Sequence, residues 1–565
     1  MFMAQIKEEI KKIAGENVAF SIERPENSAY GDYSSNVALV LAKKQVKNPK
    51  EVAEELKTRL LSNPIAKWLE KIEVAGPGFL NFFLKEEAVL NGLETVLKEK
   101  NNFGKSKLLS GKKIIIEYTD PNPFKEFHIG HLMSNSIGES LARIIEFNGA
   151  EVKRANYQGD VGLHVAKAIW AIKNVDGLQE IDLLNGKAYV AGNKAYSDSE
   201  KDKKKIAEIN KKIYDGSDKK LSDLYEKHKR KSLSYFEAVY GILGMRKIQE
   251  KQHFDFYFFE SETGKKGKEI VEENLKKGIF EESDGAIIFK GEKYGLHTRV
   301  FINSDSLPTY EAKELGLAVI KNEKYQFDIS LVVTGNEIID YFRVILTAEK
   351  QIYPELAEKT KHVPHGMLRL PSGKMSSRTG EIIAAESLWD MVKEKLKERL
   401  GQNEKVSESA RGKILDIVTL GAIKYSILRH SVGSDIVFDF EKSLALEGDS
   451  GPYIQYVYAR TRSVMERAKG EGVSHSFSKA PGKLGALERL IVHFPDVVED
   501  AYVNLNPNVI GRYLLELAGE FNTFYEKQKI IGLPESPYYV ALTEAVSIST
   551  KNGLNLLGIE APDRM

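Results

Sequence analysis

The 565-residue chain is predicted to be α/β, with an open parallel sheet at its centre, an insertion in that sheet domain, a small α/β domain before it and an all-α bundle after it. Three observations predict this. The β-branched runs Ile114–Tyr118, Ala150–Tyr157 and Phe327–Gly335 are each followed by a loop and a helical pattern, the alternation of βαβ units. The first run stops at Thr119-Asp120-Pro121-Asn122-Pro123, where two prolines end regular structure before a helix begins near His128. Beyond residue 391 the periodicity is helical throughout.

The chain is too long for one core, and three domains are expected: 1–110, 111–390 with an insertion at about 176–300, and 391–565. A 42% hydrophobic and 29% charged composition is that of a water-soluble globular protein. The net charge of +1 shows no global basicity, so any nucleic acid must be met by local patches. With no cysteine, disulfides, thiolate metal sites and a cysteine nucleophile are excluded. The charged N-terminus lacks a signal-peptide pattern, and no run approaches the ~18–20 apolar residues that span a bilayer, so a cytoplasmic protein without membrane contact is expected.

In the first domain, helices are predicted at Met3–Gly15 and Pro49–Leu61, and Ile72–Lys85 turns through Gly76-Pro77-Gly78 into an aromatic-rich strand. Phe79, Phe82 and Phe83 read mainly as core, although a phenylalanine exposed beside Asn81 would make a stacking platform for an unpaired base. In the second domain, Leu132, Ile137, Leu141, Ile144 and Ile145 share one helix face. At that helix's start stands His128-Ile129-Gly130-His131, a pattern expected by composition about 0.02 times in such a chain. Two imidazoles around a glycine at a helix N-terminus suit ATP phosphates, with the glycine admitting adenine to the backbone. The same pair could instead bind a metal or cap the helix. A second turn, Gln158-Gly159-Asp160-Val161-Gly162, follows the second strand.

The lysine-rich run Ser199–Ser232 reads as a solvated helix face, and strand resumes at His253–Ser261 and Gly285–Lys290. Tyr310 and Glu314, four apart, lie on one face of a helix. A glycine-bounded loop then holds Lys374-Met375-Ser376-Ser377-Arg378, a cluster of cations and hydroxyls fit for a polyphosphate whose charge moves during reaction. In the last domain, Ile510 to Tyr525 carry a 3.6-residue apolar stripe. Gly451–Val464 sets aromatics beside Arg460 and Arg462, able to hold single-stranded RNA, although core is the better reading for most of its tyrosines.

His128-Ile129-Gly130-His131 followed by Lys374-Met375-Ser376-Ser377-Arg378 resembles the paired signature of class I aminoacyl-tRNA synthetases. With EYTDPNPFKEFHIGHL, NYQGDVG, DSLPTYEAKELG, VPHGM, SGPYIQYVYAR and LLGIEAPDRM, the whole chain resembles the arginyl-tRNA synthetases. The resemblance implies a Rossmann-type catalytic domain, activation of L-arginine by ATP with Mg²⁺, and transfer to tRNA-Arg by a monomeric protein with no structural metal. It implies that His128, Gly130, His131, Lys374, Met375, Ser376, Ser377 and Arg378 bind ATP, with His128, His131 and Lys374 catalytic. Arginine would meet Glu117, Asn122, Tyr310, Glu314 and Asp160. The tRNA would meet Phe79, Asn81, Tyr456, Arg460 and Met565. Three departures stand out: Glu314 where relatives carry Asp, Arg378 for the second lysine, and Val161 for tryptophan.

Overall fold

The computed structural model describes residues 2–184, 186–371, 383–400, 408–477 and 481–565. Its N-terminal domain sets helices α1 (Phe2–Ala14), α2 (Val37–Gln45) and α3 (Pro49–Leu61) against an antiparallel sheet. The strands β1 (Ile22–Glu23), β2 (Tyr33–Ser35), β3 (Leu69–Ala75) and β4 (Phe79–Leu84) run in the order β1-β2-β4-β3. Helix α3 starts where its sequence dictates, with Asn48 Oδ1 accepting from the Lys50 N–H at 2.9 Å and Pro49 in the first turn. Along β4, Leu80, Phe82 and Leu84 enter the core. Helix α4 (Glu86–Glu99) leads out of this domain.

The central sheet is fully parallel among the described residues, with β12 (Thr360–His365), β11 (Ile329–Gly335), β5 (Lys113–Glu117), β6 (Glu151–Gln158) and β7 (Phe256–Phe259) side by side in that order. Strand β5 (Lys113–Glu117) is its middle, and its three isoleucines are buried on both faces, which is why the run is continuous rather than alternating. Then come α5 (Ile129–Phe147), β6 (Glu151–Gln158) and α6 (Leu163–Asn174). Helices α7 (Lys187–Asp198), α8 (Glu200–Asp215) and α9 (Lys219–Ile242) form a helical insertion before β7 (Phe256–Phe259) and α10 (Glu260–Leu275). A small antiparallel sheet of β8 (Glu281–Ser283), β9 (Ala286–Phe289) and β10 (Arg299–Ile302) precedes α11 (Tyr310–Lys324). Strand β11 (Ile329–Gly335), α12 (Ile339–Ile352), α13 (Pro354–Lys359) and β12 (Thr360–His365) complete the sheet.

Two expectations are corrected. Strand β7 pairs in parallel with β6, Ala155 opposite Phe256, so residues 176–300 are not one insertion: β7 and α10 belong to the sheet domain and separate two additions. The aromatic run at 256–259 is equally compatible with either sheet, and only the long-range pairing decides. The C-terminal part is not wholly helical either, since β14 (Ile436–Val437) pairs in parallel with β13 (Leu368–Arg369). Its helices are α14 (Ala385–Leu400), α15 (Glu408–Leu428), α16 (Phe440–Ser443), α17 (Gly451–Gly470), α18 (Ala486–Val492), α19 (Phe494–Val503), α20 (Asn508–Lys527) and α21 (Ser536–Leu556). No described helix is long and apolar enough to cross a membrane.

Candidate active site

Beyond the carboxyl end of β5 the loop to α5 is strained. Thr119, Asp120 and Phe124 adopt positive φ angles of 78°, 46° and 66°, which non-glycine residues keep only when neighbours hold them. The Thr119 N–H donates to Ser134 Oγ (3.0 Å), the Tyr157 N–H to Asp120 Oδ1 (2.7 Å) and the Phe124 N–H to Ser232 Oγ on α9 (3.2 Å). The insertion therefore helps to shape the loop that opens the site.

His128 caps α5. Its Nδ1 accepts from the Gly130 N–H at 3.1 Å, and His131 Nδ1 accepts from the His128 N–H at 3.2 Å. The rings stack with centroids 3.6 Å apart. Because both Nδ1 atoms accept, each neutral ring carries its proton on Nε2. Burial, reinforced by the Lys125 cation, pushes His128 down to about 4; burial, then the His128 and Lys125 charges, pushes His131 well below its ordinary value. The pair is thus two neutral N–H donors at a helix N-terminus, an anion-binding arrangement. At Gly130 a Cβ would stand 2.9 Å from His128 Cε1 and Nδ1, so the glycine makes room for the His128 ring itself. Lys125 has no anionic partner among the described residues, and burial lowers its ammonium to about 8.

Lys374, Met375, Ser376, Ser377 and Arg378 lie outside the described residues. Residues 383–385 pack against the histidine turn: Ile129 N–H donates to Ile383 O (3.1 Å), Ala385 N–H donates to Phe127 O (2.9 Å), and His128 forms a bridge with Ala384.

Beside this end of β5 carboxylates crowd together. Glu117 Oε2 is 3.0 Å from Lys321 Nζ, and no other described residue hydrogen-bonds its carboxylate. Glu314, partly accessible on α11, has no hydrogen-bond partner among the described residues. Burial and the Glu117 charge push Glu314 well above the carboxylate range, and the same two causes, with Glu314 itself, raise Asp120. Glu349 on α12, buried with Oε1 unpartnered, is raised to about 7 by burial. Lys321 pairs with only one of these carboxylates, which leaves the hollow short of positive charge. Tyr310, at the first turn of α11, is 59% exposed at its rim. Asn122 Oδ1 lies against Gly159, where a Cβ would come within 2.2 Å of it and 3.0 Å of Glu260 Oε1.

Asp160 is placed otherwise than expected. Both its oxygens are taken: Tyr225 OH donates to Oδ2 (2.9 Å), Lys229 Nζ sits at 2.6 Å, and Ser261 donates its N–H to Oδ1 and its hydroxyl to Oδ2. It ties α9 and α10 to the end of β6, with Oδ2 saturated by three donors and Oδ1 engaged by one. In the N-terminal domain Asn81 is buried, its Oδ1 accepting from Ser34 Oγ on β2 (2.8 Å), which removes it from an exposed platform; Phe79 on the same face remains partly accessible. In the helical domain the Arg460 guanidinium lies 4.8 Å from both the Tyr456 and Tyr525 ring centroids and donates to Asn522 Oδ1 (2.6 Å). Tyr456 is 38% exposed. Met565 packs partly buried against the helical core.

Sequence reasoning missed Lys125, Glu260, Lys313, Lys321 and Glu349. The two α11 lysines stand in the pattern of solvated helix charges, and nothing local marks them as buried. Lys125 carried a signal, its position three residues before the histidine pair. Among the described residues no three potential metal-ligating side chains converge.

A parallel sheet with capped histidines beyond its middle strand defines the class I aminoacyl-tRNA synthetase catalytic fold. Residues 92–440 match the family described as "tRNA synthetases class I (R), catalytic domain". Residues 2–84 match the "Arginyl tRNA synthetase N terminal domain" and 454–565 the "DALR anticodon binding domain". The chain belongs to the arginyl-tRNA synthetase family. It is 32% identical to the arginine–tRNA ligase of Clostridium kluyveri over 99% of both chains. To that of Treponema denticola it is 31% identical over 95% of this chain and 93% of the relative. The solved Thermus thermophilus arginyl-tRNA synthetase has the same fold, with a TM-score of 0.81 at 24% identity and complete coverage of both chains.

Proposed function

We propose that this enzyme activates L-arginine with ATP to arginyl-adenylate and transfers the arginyl group to the 3′-terminal adenosine of tRNA-Arg. The observation that carries the reading is the hollow around Glu314: a carboxylate with no hydrogen-bond partner among the described residues, at the same end of the sheet as two neutral imidazole N–H donors. A guanidinium is planar, permanently charged and offers paired donors, so it meets both the charge and the fork of a carboxylate. Glu314 and Tyr310 would take the guanidino end. Glu117, whose Oε2 alone is engaged, and Asn122 would take the α-ammonium and carboxylate. Asp160 contributes by tying α9 and α10 to the end of β6.

ATP enters as its magnesium complex. The arginine carboxylate attacks the α-phosphorus, the bond to the β,γ-diphosphate breaks, and pyrophosphate leaves. His128 and His131 donate Nε2–H to phosphate oxygens, and Lys125, with Lys374 and Arg378 of the following loop, offsets the charge gathering on the leaving group. By the family resemblance, Met375, Ser376 and Ser377 would contact ATP with them. The ribose hydroxyl of the terminal adenosine then attacks the mixed anhydride and releases AMP. Arg460 and Tyr456 form the base-stacking element of the helical domain, near the Met565 terminus, and Phe79 is the N-terminal domain's stacking ring. The enzyme acts as a cytoplasmic monomer. Charging of tRNA-Arg assayed with each of the amino acids tests the reading: arginine alone should be transferred, and transfer of lysine or glutamate in its place would overturn it.

A further inference from the structure

Helix α11 carries more than the two side chains assigned to the substrate. Lys313 and Lys321, flanking Glu314, are only 4% and 3% exposed. Lys313 Nζ lies 2.5 Å from Glu260 Oε2 at the start of α10. Lys321 Nζ lies 3.0 Å from Glu117 Oε2 at the end of β5 and 3.2 Å from Ser330 Oγ on β11. Each lysine cancels the one carboxylate it touches, and Glu314 between them is left uncancelled. The helix itself is set close: a Cβ on Gly267 would stand 1.8 Å from Ala312 O, and one on Gly316 2.0 Å from Thr263 O, so α10 and α11 meet backbone to backbone. Buried ion pairs are a poor source of stability, because desolvation offsets their attraction, but they fix geometry where register matters.

We propose that Lys313 and Lys321 are positioning residues that set the depth of the amino-acid hollow. Pinned to Glu260 on one side and to Glu117 and Ser330 on the other, α11 cannot slide, and the Glu314 carboxylate is held at the distance of an arginine side chain. A side chain one methylene longer drives its guanidinium past the carboxylate or lifts its α-ammonium off Glu117. Lys321 takes only one Glu117 oxygen, so the pin and the substrate contact coexist on one carboxylate. The proposal rests on the arginine reading above.

The test compares kcat/KM for arginine and homoarginine, and KM for ATP, in full-length wild type, Lys321→Met, Lys313→Met and Ser330→Ala, with thermal melts to show that each variant is folded. The wild-type preference for arginine should fall within the roughly 10–200-fold range that one methylene supports. Lys321→Met should erode it about tenfold, leaving KM for ATP within about twofold. Ser330→Ala, which removes only the second acceptor of the lysine, should erode it in the same direction, about threefold. An unchanged preference in folded variants, or arginine and ATP constants rising together, would overturn the proposal. Should the lysine variants not fold, an unchanged preference in Ser330→Ala overturns it alone. A wild-type enzyme that charges no arginine would remove the parent reading instead, and this proposal with it.

Discussion

Replacing Glu314 by glutamine keeps the size of the side chain and removes the charge that the guanidinium needs. Truncating one partner of a desolvated, hydrogen-bonded charge pair costs about 2–5 kcal/mol of binding, part of it from leaving the other charge unpaired. At about 1.4 kcal/mol per decade, kcat/KM for arginine should fall roughly 30- to 3,000-fold, with KM for ATP unmoved. Stability should move the opposite way. The folded-state carboxyl of Glu314 is raised above its unfolded value, so its ionisation opposes folding. Relative to the glutamine variant, the wild-type protein therefore loses stability as pH rises above the ordinary glutamate range near 4. Without substrate the variant should melt higher at neutral pH and equally at acid pH. Steady-state aminoacylation and pH-dependent melts read both effects. An arginine KM within threefold of wild type, or a variant less stable than wild type at neutral pH, would refute the assignment of Glu314 as the uncancelled charge of the hollow.

Other outcomes follow from the same geometry. His128, held at about 4, stays neutral in the fold down to acid pH, so its contribution to stability should decline as pH falls from about 6.5 to about 4, where the unfolded chain binds the extra proton; relative to wild type, His128→Asn should be spared that part of the decline in denaturant titrations. Glu139 lies at the centre of a buried network, 2.7 Å from Arg143 Nε, 2.8 Å from Arg154 Nε and 2.6 Å from the Tyr118 hydroxyl. Glu139→Gln should cost about 3–5 kcal/mol in chemical denaturation, because it leaves Arg143 without a carboxylate and Arg154 with Glu146 alone, and a cost below about 1 kcal/mol would contradict this. Gly267→Ala drives a methyl into the Ala312 carbonyl and should cost about 1–3 kcal/mol while raising the arginine KM. A fully active, equally stable Gly267→Ala enzyme would show that the α10–α11 contact is dispensable.

Much of this was legible because local chemistry and tertiary position coincide. The isoleucines of β5 are β-branched and buried on both faces, the two prolines stop the strand, and His128 stands where a cap is required. Tyr310 and Glu314 share the first turns of one helix, as their spacing predicts, while their part in binding arginine comes from the family resemblance. The rest depends on distant partners. Asp160 read as a ligand because a Gly-Asp turn lines pockets, yet Tyr225, Lys229 and Ser261, far along the chain, consume it. Asn81 read as accessible, and Ser34 on a neighbouring strand claims it. Lys313 and Lys321 are indistinguishable in sequence from the surface lysines Lys324 and Lys350, since only the packing of α11 against α10, β5 and β11 buries them. Strand β7 shows the same limit, because its composition says strand but not which sheet.

The most direct measurement is a structure of the enzyme with arginine and a non-hydrolysable ATP analogue. The guanidinium should lie about 3 Å from the Glu314 carboxylate, the α-ammonium on Glu117, and the phosphates on the Nε2 atoms of His128 and His131 with Lys374 facing them. A guanidinium bound away from Glu314, or phosphates remote from the two imidazoles, would contradict the account.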